Sequence, residues 1–167
     1  MALINSPYRD AIADVASRIV DCASEAGIRI SVAESLTGGA LASAIVDIPG
    51  ASAVLLGGVV SYAEQAKAQI LHVSAERLNA YGAVDPVVAR QMASGVRRLF
   101  GADYAVSTTG VAGPGASEGH EEGEVHIGFA CEQGVEDNRY LFDGDRDSIR
   151  AQSVLAALRM LAEKIGA

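Results

Sequence analysis

A serine between a predicted strand and a predicted helix is the residue of this chain best placed for nucleophilic chemistry. Ser35 follows a short apolar run, residues 28–32, that is typical of a strand, and it precedes residues 39–47, which predict a helix. A hydroxyl at such a junction faces unpaired N–H groups and the positive end of the helix dipole. Ser35 therefore suits a nucleophile or a phosphate contact, although a serine before a helix is most often only an N-cap.

Lys67 is the candidate base for Ser35. A serine hydroxyl is inert unless a base lies within hydrogen-bond reach, and the motifs that hold these residues contain no histidine. A Ser-His-Asp triad is therefore not the natural interpretation. A lysine ordinarily titrates near pH ~10.4, so a lysine base must be desolvated or lie near another cation. The alternative from the residues alone is a solvated helical lysine, which is the common case.

Tyr62 lies five residues before Lys67, at the end of a second predicted strand, residues 54–62. On one continuous helix the two side chains would be about 140° apart. If the helix instead begins near Glu64, both side chains can converge on one pocket. The spacing therefore permits Tyr62 to share a pocket with Lys67 and Ser35; otherwise Tyr62 is a residue of the pocket rim.

Several polar and glycine residues near these positions are candidate ligand contacts. Ligands of open α/β sheets bind at the carboxyl ends of strands, and glycine-rich turns offer backbone N–H groups to oxyanions and phosphates. An arginine suits a phosphate, or equally an ion pair with neighbouring carboxylates. A glutamate can contact the substrate, begin a helix or orient a lysine. The candidate substrate-binding residues are Glu34, Thr37, Gly38, Gly39, Thr109, Gly110, Gly113 and Arg146.

Five short motifs follow one another in an order that resembles a known family. They are Ala-Glu-Ser-Leu-Thr-Gly-Gly (33–39), Ser-Tyr-Ala-Glu-Gln-Ala-Lys-Ala-Gln (61–69), Tyr-Gly-Ala-Val (81–84), Thr-Gly-Val-Ala-Gly-Pro-Gly (109–115) and Phe-Asp-Gly-Asp-Arg-Asp (142–147). The set is similar to the CinA C-terminal-domain family, the nicotinamide-nucleotide amidohydrolases. The resemblance extends from about residue 11 to about residue 161.

The resemblance implies an activity and a catalytic centre. The implied reaction is deamidation of nicotinamide mononucleotide to nicotinate mononucleotide and ammonia, and the implied centre is Ser35, Tyr62 and Lys67. In that centre Tyr62 would relay a proton between Lys67 and Ser35 or protonate the leaving ammonia. Two features depart from the family pattern: Asp85 follows Gly-Ala-Val directly, and the loop 116–124 is acidic. Both features favour a different class of function, a non-catalytic nucleotide-binding accessory module linked to competence or DNA-damage responses. A Tyr-Lys reductase is disfavoured, because the chain opens with no G-x-G-x-x-G fingerprint.

The composition of the chain limits its possible partners and location. The formal net charge is −8 and no long run of Lys and Arg occurs, which argues against nucleic acid as the main partner. Cys22 and Cys131 lack metal or redox spacing and are expected to be buried thiols of a cytoplasmic protein. No run of 18 apolar residues or signal peptide is present, so no membrane span is expected. We expect no metal and no cofactor.

The elements that must position these residues alternate between helices and strands. Ser6 and Pro7 are expected to open the first helix, further helices are predicted over 64–71, 75–80, 86–100 and 145–165, and strands over 105–109, 125–131 and 139–142. The last two strands form a hairpin around Gly134. The pattern predicts a single domain, residues 1–167, with three α/β/α layers, a mixed, mostly parallel sheet and a C-terminal antiparallel hairpin. The apolar helices and the family resemblance suggest a dimer-based homo-oligomer.

Overall fold

The computed structural model describes residues 7–167, which form a five-stranded sheet between two layers of helices. The strands are β1 (Ile30–Glu34), β2 (Leu55–Val60), β3 (Tyr104–Gly110), β4 (Glu124–Cys131) and β5 (Gly134–Leu141). The helices are α1 (Arg9–Ala26), α2 (Ala40–Val46), α3 (Glu64–Leu71), α4 (Ala75–Tyr81), α5 (Pro86–Phe100) and α6 (Arg146–Ile165), and a short 3₁₀ helix spans Ala51–Ala53. The predicted N-cap at Ser6 lies outside the described residues.

The sheet is mixed, with the strand order β2-β1-β3-β4-β5. β1 pairs in parallel with β2 and β3, whereas β4 pairs antiparallel with β3 and β5. α1, α2 and α6 cover one face with the larger apolar core, and α3, α4 and α5 cover the other with a smaller one. The predicted α/β fold with a C-terminal antiparallel hairpin is therefore confirmed.

Local signals account for most element boundaries. The Asp85 carboxylate accepts hydrogen bonds from the N–H groups of Val87 and Val88, and Pro86 fits the first turn, so α5 begins there. Gly101, at φ 65°, ends α5. The main difference from prediction is β5, which begins five residues earlier than residue 139, because its first half is polar and solvent-facing and carries no apolar signal.

The parallel strands end together at one edge of the sheet. Glu34 is in register with both Val60 of β2 and Thr108 of β3. The next residues along each strand, Ser35, Ser61 and Thr109, therefore lie side by side at the carboxyl edge. No helix within residues 7–167 has the length and apolar character needed to cross a membrane.

Candidate active site

Ser35 is held at the carboxyl end of β1 by the sheet itself. Its N–H donates to the Thr108 carbonyl at 3.0 Å, which continues the pairing of β1 with β3 by one residue. The side chain is largely buried but lines an open cleft of about 400 Å³. Tyr62, Gly110, Gly113 and Arg146 line the same cleft. The structure thus brings five of the predicted site residues around one cavity.

Lys67 reaches Ser35 from the first turns of α3. Its side chain is 0% exposed, and Nζ donates to Ser35 Oγ at 2.9 Å. The same Nζ donates to the main-chain carbonyls of Ser61 at 2.8 Å and Tyr62 at 3.2 Å. Because β2 ends beside β1 and α3 follows almost at once, a strand-to-helix turn delivers the lysine to the serine. Within residues 7–167, Lys67 Nζ contacts the main-chain carbonyl of Tyr62 and not its hydroxyl, so the convergence of the Tyr62 and Lys67 side chains on one pocket stays a prediction.

The three partners of Lys67 accommodate both an ammonium, which donates to all three, and a neutral amine. A carbonyl oxygen can only accept, so the Ser61 and Tyr62 carbonyls use both hydrogens of an uncharged –NH₂ group. The third partner, the Ser35 hydroxyl, can then donate its proton to the nitrogen lone pair. No carboxylate among the described residues makes a hydrogen bond or ion pair with Nζ. Within residues 7–167 the lysine thus lacks an acidic partner that would hold it in the charged form.

Burial lowers the pKa of Lys67 from its ordinary value of 10.5 to about 8. The cause is desolvation, because an ammonium loses its hydration in the interior whereas a neutral amine loses little. The negative charges of Glu64 and then Glu118 oppose this shift and raise the pKa. The net result is a lysine that is partly neutral near physiological pH, as a general base requires.

Glu34 supports α2. One carboxylate oxygen accepts the N–H groups of Gly39 at 2.9 Å and Leu41 at 3.0 Å, and the other accepts Ala42 N–H at 2.9 Å. The residue is 1% exposed. All the hydrogen bonds that this carboxylate makes within residues 7–167 are therefore with the N-terminus of α2, a favourable place for an anion. Its predicted contact with substrate stays a prediction, and among the described residues it makes no hydrogen bond or ion pair with Lys67.

The predicted oxyanion donors are partly occupied inside the protein. Gly38 N–H donates to the Ser35 carbonyl and Gly39 N–H to Glu34, and both glycines have positive φ, at 60° and 96°. Within residues 7–167, the N–H groups of Leu36 and Thr37 have no acceptor. Both follow Ser35 directly; Leu36 lines the cleft, whereas Thr37 is fully buried behind it.

Thr37 and Thr109 contribute through their side chains to the frame of the site. The Thr37 hydroxyl is fully buried and lies 2.8 Å from the Thr108 hydroxyl. The Thr109 hydroxyl donates to the Ala83 carbonyl at 2.7 Å and so ties the turn between α4 and α5 to β3. Both side chains have internal partners, so substrate contact through their main chain remains the prediction.

Arg150 is a residue of the site that sequence reasoning missed. Its guanidinium donates to the Leu36 carbonyl at 3.0 Å and to the Thr37 carbonyl at 2.9 Å. A trans peptide places N–H opposite C=O, so holding the Leu36 carbonyl turns Thr37 N–H the other way. The available signal was the spacing from Arg146, since residues i and i+4 share a helix face.

Tyr62 and Arg146 lie together at the mouth of the cleft. The Tyr62 side chain is 63% exposed, and its hydroxyl accepts a hydrogen bond from Arg146 Nη2 at 3.4 Å. Arg146 Nη1 donates to the Gly113 carbonyl at 2.7 Å and anchors the glycine-rich loop. In the described part of the chain the Tyr62 hydroxyl makes no hydrogen bond with Ser35 or Lys67. The predicted proton relay through Tyr62 stays a prediction.

The two departures from the family pattern have structural explanations. Asp85 caps α5 and forms a bidentate ion pair with Arg77, with Nε to Oδ1 at 2.9 Å, and it does not line the cleft. Burial raises the pKa of Asp85, but the hydrogen bonds from Arg77 and from the Val88 and Val87 N–H groups, together with the Arg77 charge, hold that pKa below its ordinary value. In the acidic loop, Glu118 accepts Ala83 N–H at 3.0 Å and Glu122 accepts Gly115 N–H at 2.7 Å. These acids anchor the loop.

Metal ligation has no candidate residues in residues 7–167, where no group of three or more His, Cys, Asp or Glu side chains could hold an ion. His120 and His126 contact Glu124 on the hairpin side, where the Arg139 hydrogen bond is the main cause that lowers the pKa of Glu124 to about 2.

Cys22 and Cys131 are unpaired and only half-buried, less buried than expected.

The chain is similar to known proteins over most of its length. The family model described as the CinA C-terminal domain matches residues 12–165. A CinA-like protein of Frankia casuarinae is 47% identical over 137 residues, which cover 80% of this chain and 32% of that protein. The chain spans about a third of the length of the curated relatives it matches.

Solved structures of the same superfamily share the fold. A competence-damaged protein (CinA) superfamily protein from Klebsiella pneumoniae has a TM-score of 0.89 and 33% identity, covering 93% of this chain and 98% of that one. The competence/damage inducible protein CihA of Agrobacterium tumefaciens has a TM-score of 0.88 and 38% identity, covering 93% and 96%. With the family model matching nearly its whole length and these structures matching its fold, the chain belongs to the CinA C-terminal domain family.

Proposed function

We propose that this protein hydrolyses the carboxamide of nicotinamide mononucleotide, releasing ammonia and nicotinate mononucleotide. The observation that carries the proposal is the 2.9 Å contact between Lys67 Nζ and Ser35 Oγ at the base of an open cleft. Covalent amide hydrolysis requires at least a nucleophile and a base within hydrogen-bond distance of each other. The nucleotide substrate follows from the family resemblance.

In the first half of the reaction, Ser35 Oγ bonds to the carboxamide carbon as its proton passes to neutral Lys67. The C=O electron pair moves onto oxygen, and the Leu36 and Thr37 N–H groups are assigned to stabilise that oxyanion. The oxyanion then re-forms the C=O bond and the C–N bond breaks. The Lys67 ammonium returns its proton to the departing nitrogen, so ammonia leaves and a Ser35 ester remains.

In the second half, a water molecule attacks the ester carbon while Lys67 accepts a proton from it. The new tetrahedral species collapses, the bond to Ser35 Oγ breaks, and Lys67 gives its proton back to the serine. The product leaves as a carboxylic acid, which ionises in water. Lys67 ends each half neutral, so one buried amine serves both as base and as acid.

Arg146 and Tyr62 are assigned to the polar end of the substrate. Arg146 is the cation of the described cleft lining, and guanidinium groups bind phosphate bidentately. Its contacts to the Gly113 carbonyl and the Tyr62 hydroxyl fix the side chain at the mouth while leaving it exposed. The cleft volume of about 400 Å³ is in the range of sites for small ligands.

Ammonia release from a panel of pyridine compounds tests the proposal. Nicotinamide mononucleotide should be hydrolysed, free nicotinamide should react far more slowly, and Ser35→Ala should abolish hydrolysis with the fold intact by circular dichroism. Ser43→Ala, on the exposed face of α2, is the matched control and should retain full activity. Near-normal turnover by Ser35→Ala would remove the serine from the mechanism. A purified wild-type protein that releases no ammonia from any compound would overturn the assigned reaction.

A further inference from the structure

Glu118 is held at the cleft by an arrangement that leaves little freedom to its carboxylate. Its Oε2 accepts the Ala83 N–H at 3.0 Å, and its main chain has φ 53°, a value that residues with a Cβ rarely adopt. Gly82 makes room for it, because a Cβ at position 82 would lie 2.5 Å from Glu118 Oε2. Three separate features of two loops therefore bring one negative charge to this place.

The position of Glu118 sets a pair of opposite charges in the cleft. Of the described residues that line it, Glu118 and Arg146 are the charged ones. The field of Glu118 reaches the catalytic pair, since its charge raises the pKa of Lys67. In the described part of the chain, Oε1 has no hydrogen-bond partner and is available to a bound molecule. A ligand with one cationic and one anionic group complements this cleft better than a purely anionic one.

We propose that Glu118 is a specificity residue that selects amides carried on a positively charged ring, an N-substituted pyridinium, over neutral amides of the same shape. The inference rests on the proposed function and extends it to the electrostatic class of the substrate. A pyridinium carboxamide places its ring charge next to the amide that Ser35 attacks, within the field of Glu118. The phosphate end of the same molecule lies towards Arg146.

The same charge favours departure of the product. Hydrolysis turns a neutral carboxamide into a carboxylate at the catalytic end of the cleft. Glu118 repels that new negative charge and so weakens product binding relative to substrate binding. The acidic loop, which would weaken binding of a purely anionic ligand, thus favours binding of a cationic ring and release of the acid product.

Oxidised and reduced nicotinamide mononucleotide form a matched pair of probes. The reduced dihydropyridine keeps the carboxamide, ribose and phosphate, but its ring is neutral. Its amide also differs in intrinsic reactivity, and that difference cancels when the ratio of kcat/KM for the two probes is compared between variants. Glu118→Gln keeps an acceptor for Ala83 N–H and removes only the charge, so the fold is retained.

We expect Glu118→Gln to lower the oxidised-to-reduced ratio of kcat/KM about three- to tenfold, mainly through KM of the oxidised probe. Inhibition by nicotinate mononucleotide should become stronger in this variant. Glu121→Gln removes the same charge from the same loop at an exposed position outside the cleft lining, and it should leave the ratio unchanged. An unchanged ratio in Glu118→Gln, or an equal change in Glu121→Gln, would overturn the inference.

Equilibrium binding to Ser35→Ala separates this inference from the proposed function. The oxidised probe should bind Ser35→Ala more tightly than the reduced probe, and the preference should shrink in Ser35→Ala/Glu118→Gln. If the wild-type protein releases no ammonia yet Ser35→Ala shows this preference, the hydrolysis proposal fails and the recognition proposal stands. If neither probe binds and neither is hydrolysed, both fail. If the oxidised probe is hydrolysed but the preference does not depend on Glu118, the recognition proposal alone fails.

Discussion

If Lys67 is the base of the proposed amide hydrolysis, the pH dependence of the reaction follows from the ionisation of this one buried lysine. With a pKa of about 8, roughly one Lys67 in ten is neutral at pH 7. A lysine at the ordinary value of 10.5 would be neutral in roughly one molecule in three thousand, so burial raises the competent fraction about 300-fold. We expect kcat/KM to rise about tenfold per pH unit well below pH 8 and to level off above it.

Glu64→Gln is the most discriminating perturbation of this ionisation. Glu64 lies in the first turn of α3, three residues before Lys67, and its charge is the main influence that raises the lysine's pKa. A pair at this spacing is worth about 0.2–0.5 kcal/mol, and about 1.36 kcal/mol corresponds to one pKa unit, so the pKa should fall by about 0.2–0.4. The variant should therefore be more active than wild type at pH 7, by up to about twofold.

The assay is kcat/KM for ammonia release between pH 6 and 9.5 at constant ionic strength. Glu76→Gln is the matched control, because it removes a carboxylate from the first turn of α4 and leaves Lys67 untouched. The limb of the profile should move to lower pH in Glu64→Gln only. A profile without a limb near pH 8, or a limb that moves equally in both variants, would refute Lys67 as the base.

Three other outcomes are expected. Lys67→Arg should be nearly as inactive as Lys67→Ala, because a guanidinium does not deprotonate in the working range, whereas Tyr62→Phe should retain more activity. Turnover at pH 8 measures these differences, and a normal rate for Lys67→Arg would leave the lysine only an electrostatic role. Arg150→Met should lower kcat about ten- to a hundredfold with little change in KM, because the Leu36 and Thr37 peptides lose their anchor; a change confined to KM would contradict this. Between pH 8 and 10.5 the unfolded chain binds more protons at position 67 than the folded protein does, so the free energy of unfolding should rise with pH by up to about 3 kcal/mol. Urea titrations measure this rise, and it should be missing in Lys67→Met.

Local chemistry allowed much of the fold to be predicted from sequence. Asp85 and Pro86 mark the start of α5 and Gly101 its end through capping contacts within a few residues of each other. The helix α3 begins at Glu64 as predicted, which is why Tyr62 ends an extended segment and Lys67 lies one turn into a helix. By contrast, the polar first half of β5 is a strand because it pairs with β4, and no local sequence pattern indicates that pairing.

The candidate site, like the fold, could be predicted only in part from the sequence. Ser35 and Lys67 were recognisable as candidates because each lies in a short motif beside a predicted strand, and the motif order indicated the family. Their 2.9 Å contact, and the burial that lowers the pKa of Lys67, depend on β1 and β2 ending at the same edge of the sheet. Desolvation is a property of the surrounding volume, so it cannot be read from the residues on either side of the lysine.

Only the tertiary structure decided which polar groups face the cleft and which support it. Glu34 immediately precedes Ser35, yet its carboxylate binds the N-terminus of α2. Arg150 is 114 residues from the Leu36 carbonyl that it holds, and Glu118 is 35 residues from the Ala83 N–H that fixes it. The sequence by itself determined the kinds of groups available and the elements that carry them. Their roles arose from contacts between distant segments, because a hydrogen-bond partner is chosen by position in space.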